Sequence, residues 1–485
     1  MQTPKAQGTP LITTNSPLMN ESLIGSDPFH NDGSYARSAS PPSSAAHHTT
    51  SVNNMDYLEE APHPQRKDPP SNACSAFLQR VVPHGGSLSG MVNLASCTLG
   101  ASIISLPYAF FSSGIFVACV ALVLITAATV FAIHLLIDAG ERTQMRSYEE
   151  MARNLIGRRS EYIVAFLMWF FCFGTCVAYV IALGDVILPF LKGQGTGFWH
   201  DDWGVRVVTM IIWACVMLPL SLPKEINSLR YFSLVAVSLI GFFVIVMVYH
   251  SARYGFTEEH LDQLQSFRGG AKAIDGLALF MFAFMCQINC FEVYFEMHPR
   301  SVKKMTNDVS ISMSICCILY VIAGFFGYFD FVDQTQDAIL KNYNPRNDVL
   351  VAISFIGIAF KLCVGFSLCI QPARDAIFYA FNMGEYHLVP TRTRVVICAG
   401  MSVCALVLGL LIPKINIVFG FLGSLIGGLV GFALPAWFSM KSTENWGKET
   451  VGTSKYVATW ALLIGGLVSF VVGTVASIID ISGVA

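Results

Sequence analysis

The sequence predicts an all-α polytopic membrane protein, and two observations carry that prediction. Of 485 residues, 54% are hydrophobic and only 13% are charged, against about 25% charged residues in an average soluble domain. The apolar residues gather into eleven segments, each long enough for the roughly 20 residues that a bilayer crossing needs. They fall near 87–112, 114–138, 162–191, 206–222, 231–250, 271–297, 309–331, 348–371, 394–412, 415–438 and 456–479. A third observation singles out the first segment. Its middle reads Gly100-Ala101-Ser102-Ile103-Ile104-Ser105-Leu106-Pro107, although Gly weakens a helix by about 1 kcal/mol relative to Ala and Pro by about 3. In a bilayer, freed backbone groups are tolerated only where protein buries them or water reaches them. The run is either a break beside a mid-membrane solute site or a packing stripe of small residues, which membrane helices also favour.

The connections set an orientation. With the N-terminus in the cytoplasm, 21 of the 30 Lys and Arg residues fall inside and 8 outside, counting Arg206 outside and leaving Lys361 within a span. Positive charge concentrates on cytoplasmic loops, so the N-terminus is expected inside. Residues 1–85, rich in Ser, Pro, Asn and Thr, are too polar to form a core and are expected to be a disordered cytoplasmic tail, either a spacer or a target for phosphorylation and trafficking proteins. Residues 86–485 form the eleven-helix domain. No basic-then-apolar leader opens the chain, so the first span is expected to act as the insertion signal, and no lipidation motif is present.

Of the 14 cysteines only Cys74 lies outside the spans, which indicates no disulfide framework. Cys172/Cys176 and Cys286/Cys290 have helical spacing, but buried thiols behave as small hydrophobes, and no metal is expected. Between the second and third spans, Ser147 to Gly157 reads as a short amphipathic helix, with Ser147 and Glu150 forming a capping box and Gly157 ending it.

Taken in order, several stretches resemble the amino acid/auxin permease family of amino-acid transporters. They are Gly100–Pro107 with Tyr108-Ala109, Ser147-Tyr148-Glu149-Glu150, Tyr179 with Gly184-Asp185, and Leu218-Pro219-Leu220-Ser221-Leu222. Further on come Phe282-Ala283-Phe284 with Gln287 and Asn289, then Glu296-Met297 and Gly324 with Gly327-Tyr328. The series closes with Pro372-Ala373-Arg374, Phe421-Leu422-Gly423-Ser424 and Leu434-Pro435-Ala436. The Ser-rich tail resembles that of the trypanosomatid amino-acid permeases. The resemblance implies a LeuT-like fold: two inverted five-helix repeats, spans 1–5 and 6–10, plus an eleventh helix. Spans 1 and 6 would be broken around a central substrate site. Span 6 has no Gly between Leu277 and Met297 and no Pro before Pro299, so its break near Phe284 is expected from the resemblance alone.

An amino acid brings a carboxylate and an ammonium group. The N–H groups of Gly100, Ala101 and Ser102 at a half-helix start suit the carboxylate, and carbonyls near Thr98 and Leu99 suit the ammonium. Span 6 would face them from Phe282 through Phe284 to Cys286. Asn289, Glu292 and Glu296 follow Met285 at helical spacing. Ionisable residues within spans are functional candidates: Glu292 and Asp185 either handle substrate or protons, or pair within the bundle. Lys361 is a further candidate. The resemblance places Gly365 near the hydroxyl position where sodium-coupled relatives bind sodium, with Lys361 four residues earlier on the same face. An ammonium there would take the cation's place and make uptake sodium-independent; otherwise Lys361 pairs with Asp185 or Glu292, or snorkels. His134 reads as structure or as a proton relay, and Gly423, Gly427 and Gly431 as a packing stripe.

No nucleotide-binding loop, selectivity filter or catalytic constellation is evident, so an ATP-driven pump, a potassium-type channel and an enzyme are not expected, nor is a cofactor. The expected function is secondary transport of amino acids by alternating access at the plasma membrane. Glu292 and Asp185 favour arginine or lysine, and the opposing charge of Lys361 leaves proline or alanine as the alternative. An amino-acid sensor signalling through the tail and a polyamine carrier are the competing readings. The expected partners are an amino acid, protons and the bilayer, with tail-binding regulatory proteins a further class and nucleic acid none.

Overall fold

A computed structural model describes residues 85–191, 202–222, 229–255, 258–381, 383 and 389–482. The predicted tail lies outside them, Gly85 excepted. Among the described residues there are eleven spans. The first is the bent pair Ser87–Thr98 and Ser102–Ser113. The others are Ile115–Thr143, Ser160–Leu191, Asp202–Ser221, Ser233–Gly255, Lys272–Glu296, Val302–Gln334, Val349–Ala380, Thr391–Leu411, Ile415–Lys441 and Thr453–Ile479. The face where span 1 begins is called the near face, and the opposite one the far face. Span 4 starts earlier than predicted, so Arg206 belongs to its helix and stacks over Trp203 at 5.3 Å.

The two breaks have different local causes. In span 1, Leu99 N–H donates to Ala95 O and Gly100 N–H turns back to Thr98 O at 2.8 Å, so the ladder stops and the second half leaves at 59°. In span 6 the helix ends at Ala283, a short 3-10 turn runs Gln287–Asn289, and helix resumes at Cys290–Glu296. There Gln287 Oε1 accepts from Cys286 N–H at 3.0 Å. The same N–H also turns back to Phe284 O at 3.0 Å, so a backbone turn and a polar side chain together satisfy it, and the helix breaks without Gly or Pro. Because the ladder is interrupted, Met285 does not share a continuous helical face with Asn289, Glu292 and Glu296.

The connection helix Tyr148–Leu155 is capped by Ser147, whose side chain accepts from Glu150 N–H. The Glu150 carboxylate reaches back to Arg146 N–H at 2.8 Å, one residue short of the capping residue. Tyr148 is buried, donates to Val430 O of span 10 at 3.2 Å, and packs edge-on against Phe291 of span 6. This near-face helix therefore ties span 6 to span 10. Span 10 passes close to span 6 at Gly423, where a Cβ would lie 2.0 Å from Ala278 O. Gly427 and Gly431 face Met281 and Met285 along the same seam. His134 shares a hydrogen bond with Thr306 of span 7 at 3.0 Å.

Candidate substrate site

The two breaks meet around one small cavity of about 70 Å3. The first half of span 1 ends there, and a helix C-terminus leaves carbonyls without intrahelical partners and carries partial negative charge. Two side chains answer those carbonyls. Tyr320 of span 7 donates its hydroxyl to Thr98 O at 2.5 Å and stands 3.0 Å from Ala283 O, the end of the first half of span 6. With its single proton committed, the same oxygen accepts from Ser102 Oγ at 3.1 Å. One buried hydroxyl thus joins both breaks. Lys361 of span 8 donates to Ser96 O at 2.7 Å and Ser96 Oγ at 3.0 Å. It is 2% exposed, and no ion pair with a carboxylate is found for it among the described residues. The helix end therefore acts as its counter-charge.

Opposite the span 1 break, Tyr179 of span 3 fills the space over Gly365, where a Cβ would approach the ring to 2.8 Å. Its hydroxyl would lie 3.3 Å from a Cβ on Gly100. Phe282, stacked on Phe419 at 4.3 Å and tilted against Phe171 at 5.7 Å, forms an aromatic wall.

Of the predicted substrate residues, Thr98, Gly100, Ala101, Ser102, Phe282 and Asn289 line this cavity, as do Lys361 and Gly365. Phe284 and Cys286 do not line it. Non-helical backbone turns Phe284 edge-on to Tyr320 at 5.3 Å and sends the Cys286 thiol toward Met313. Nor do Glu292 and Asp185: Glu292 is exposed, and Asp185 pairs with Lys341 at 3.2 Å. The cavity lining contains no carboxylate. Asn289 donates to Cys97 Sγ at 2.9 Å, joining the two breaks on the near side.

A family model described as transmembrane amino acid transporter protein matches residues 84–479. The chain belongs to this family. It is 26% identical over 373 residues to rat (Rattus norvegicus) solute carrier family 38 member 10, covering 73% of this chain and 33% of that protein. The chain thus spans about a third of the member 10 relatives. It is 24% identical to the zebrafish (Danio rerio) sodium-coupled neutral amino acid symporter 2, covering 80% and 81% of the two chains. To the yeast (Saccharomyces cerevisiae) vacuolar amino acid transporter 2 it is 25% identical, covering 73% and 76%. The narrower resemblance to trypanosomatid permeases gains no support from these matches. A solved structure of a Na+-coupled sialic acid symporter, in a substrate-bound outward-open state, shares the fold at TM-score 0.52 and 14% identity, over 81% of this chain and 90% of that one.

In this family member the far side of the cavity is closed. Lys341 bridges Asp185 and Asp337, the latter at 3.0 Å. Arg346 donates to Phe190 O and Leu191 O, and Ala338, Ile339 and Leu340 are fully buried. Burial alone would lower the Lys341 pKa; its two carboxylate partners outweigh that and raise it above the ordinary value. On the near side Cys97, Ile288, Asn289, Leu368, Cys369 and Pro372 are only half-buried. Sequence reasoning missed Tyr320 and Ser96 at the site. Tyr320 gives no signal in one sequence beyond a Tyr in an apolar run, because its role depends on two carbonyls more than 30 positions away.

Proposed function

We propose that the chain carries amino acids across a membrane by alternating access, with the substrate held between the breaks of spans 1 and 6. The observation that carries this reading is the meeting of both breaks around one cavity, bridged by Tyr320. Gly100 N–H, expected to meet a carboxylate, is taken by Thr98 O, and Ile104 N–H by Ala101 O, which leaves the Ala101 and Ser102 N–H groups as those that suit a carboxylate. Small residues there, Gly100, Ala101 and Ser102, leave room for it.

The substrate is a small neutral amino acid. The lining holds a buried ammonium, Lys361, and no carboxylate, so a side chain with a second positive charge would meet repulsion with no partner. The cavity volume also favours a small side chain. Glu292 and Asp185, on which a cationic substrate rested, lie away from the lining. The relatives' names include sodium-coupled neutral amino acid symporter. Here the Lys361 ammonium occupies the end of the first half of span 1, and uptake is sodium-independent. On this reading the N-terminus is cytoplasmic, residues 86–485 are the carrier domain, and the carrier acts at the plasma membrane.

A panel of radiolabelled amino acids and polyamines in a transport-deficient host tests this. Small neutral amino acids are expected to accumulate equally in sodium and in choline medium at fixed pH and potential. Preferential uptake of arginine, lysine or a polyamine contradicts the substrate assignment.

A further inference from the structure

A second hollow lies away from the central site. It is a groove of about 1170 Å3 between spans 2, 7 and 11. Val123, Val130 and Phe131 of span 2, Ile318 of span 7 and Ala458 of span 11 make its walls apolar. Three hydroxyls along its walls are internally satisfied: Thr126, Ser310 and Ser314 each donate to the carbonyl four residues back, at 2.6 to 2.7 Å. From His134 to Val123 the wall on span 2 runs about 17 Å, at 1.5 Å per residue. That is roughly the depth of one leaflet of a 30 Å hydrocarbon core.

The near-face mouth of the groove has a different character. Arg142 and Lys455 both reach Asp138 Oδ2, at 2.7 and 2.8 Å, so two cations share one carboxylate. Lys303, one turn before Thr306 on span 7, is exposed. The helix of span 11 starts in the mouth, at Gly452-Thr453-Ser454-Lys455, with no side-chain cap on its first N–H groups. Its positive end adds to the excess of basic charge. A groove that is apolar along its length and positively charged at its near-face end is complementary to a lipid with an anionic head.

We propose that this groove holds one anionic glycerophospholipid from the near-face leaflet. Its phosphate meets Lys455 and the first turn of span 11, and one acyl chain lies along spans 2 and 7. A sterol offers a single neutral hydroxyl and leaves the excess positive charge unanswered. Free phosphate leaves the apolar walls uncovered. The bound lipid ties span 11, which stands outside the two repeats, to spans 2 and 7. The inference does not depend on which solute is carried.

Native mass spectrometry of the full chain in detergent tests it, with phosphatidylglycerol, phosphatidylcholine, cholesterol or inorganic phosphate added in parallel. Phosphatidylglycerol is expected to remain as a one-to-one adduct and to raise the melting temperature. Phosphatidylcholine is expected to bind at least about fivefold more weakly, the worth of one basic residue near an anionic headgroup. Lys455→Gln is expected to weaken phosphatidylglycerol by a similar factor. Because that change also removes a partner of Asp138, Ala127→Trp provides a second test. Ala127 is exposed on the groove wall, so Trp fills the acyl track without altering charge and abolishes the adduct. Equal retention of the two phospholipids, stabilisation by phosphate alone, displacement by cholesterol, or an Ala127→Trp protein that keeps the adduct overturns the proposal.

Discussion

Lys361 places its ammonium 2.7 Å from the Ser96 carbonyl, where the first half of span 1 ends. Removing it leaves a buried carbonyl without its donor, which destabilises by about 1–3 kcal/mol. Lys361→Met, which keeps most of the side-chain volume, is expected to lower the melting temperature and to reduce uptake at least about tenfold, the equivalent of about 1.4 kcal/mol. Lys361→Ala differs in leaving a space beside Ser96. If the ammonium stands in for a metal cation, sodium should restore part of the lost uptake in Lys361→Ala and none in Lys361→Met. Equal behaviour of the two variants in sodium and choline would show that the lysine is only structural. Tyr320 is the second decisive side chain. Tyr320→Phe keeps the ring against Phe284 but loses the hydroxyl shared by Thr98, Ala283 and Ser102. Thermal unfolding should report a loss of about 1–3 kcal/mol, with uptake falling further than stability alone explains. Lys361 was legible as a candidate because an ionisable residue inside a span stands out. Tyr320 was not, because a hydroxyl that satisfies distant backbone is invisible until the chain is folded.

At the scale of elements, the number of spans followed from apolar length alone, while the Gly100–Pro107 run left span 1 either broken or closely packed; the break falls between Thr98 and Ser102, with Pro107 inside the second helix. The break in span 6 was foreseen only through family resemblance. There Gln287 accepts from Cys286 N–H alongside Phe284 O, a signal that composition does not separate from an ordinary polar residue. The same break explains why Phe284 and Cys286 turn away from the cavity, and why the helical spacing from Met285 to Asn289, Glu292 and Glu296 does not hold across it. Span 10 gives a sharper test of packing. At Gly423 a Cβ would lie 2.0 Å from Ala278 O on span 6, whereas at Gly400 on span 9 nothing lies within 4 Å. Gly423→Ala is expected to destabilise by about 1–3 kcal/mol or more through overpacking. Gly400→Ala should leave the melting temperature unchanged or slightly raised, since Ala is the better helix former. Similar melting temperatures for the two variants would mean that spans 6 and 10 are not in close contact.

For the whole molecule, the arrangement is a bundle sealed on the far side and less tightly closed on the near side. The far seal includes Lys341 between Asp185 and Asp337. Its pKa is raised above the ordinary 10.5, so its stabilising contribution is complete below that value and is lost only as pH rises through the higher folded value. Loss of the Lys341 charge should therefore not weaken the seal as pH rises from neutrality to about 9. Asp185→Asn should speed amide hydrogen exchange across Ala338–Tyr343 by about tenfold, an opening easier by about 1.4 kcal/mol; unchanged exchange would assign the seal to Arg346 and the buried Ala338–Leu340 segment instead. The most direct test of the central claim is uptake of a labelled small neutral amino acid by the full chain, with sodium exchanged for choline at constant pH and membrane potential. The account predicts the same rate in both media, abolished by Lys361→Met; uptake that collapses without sodium in the unmodified chain contradicts it.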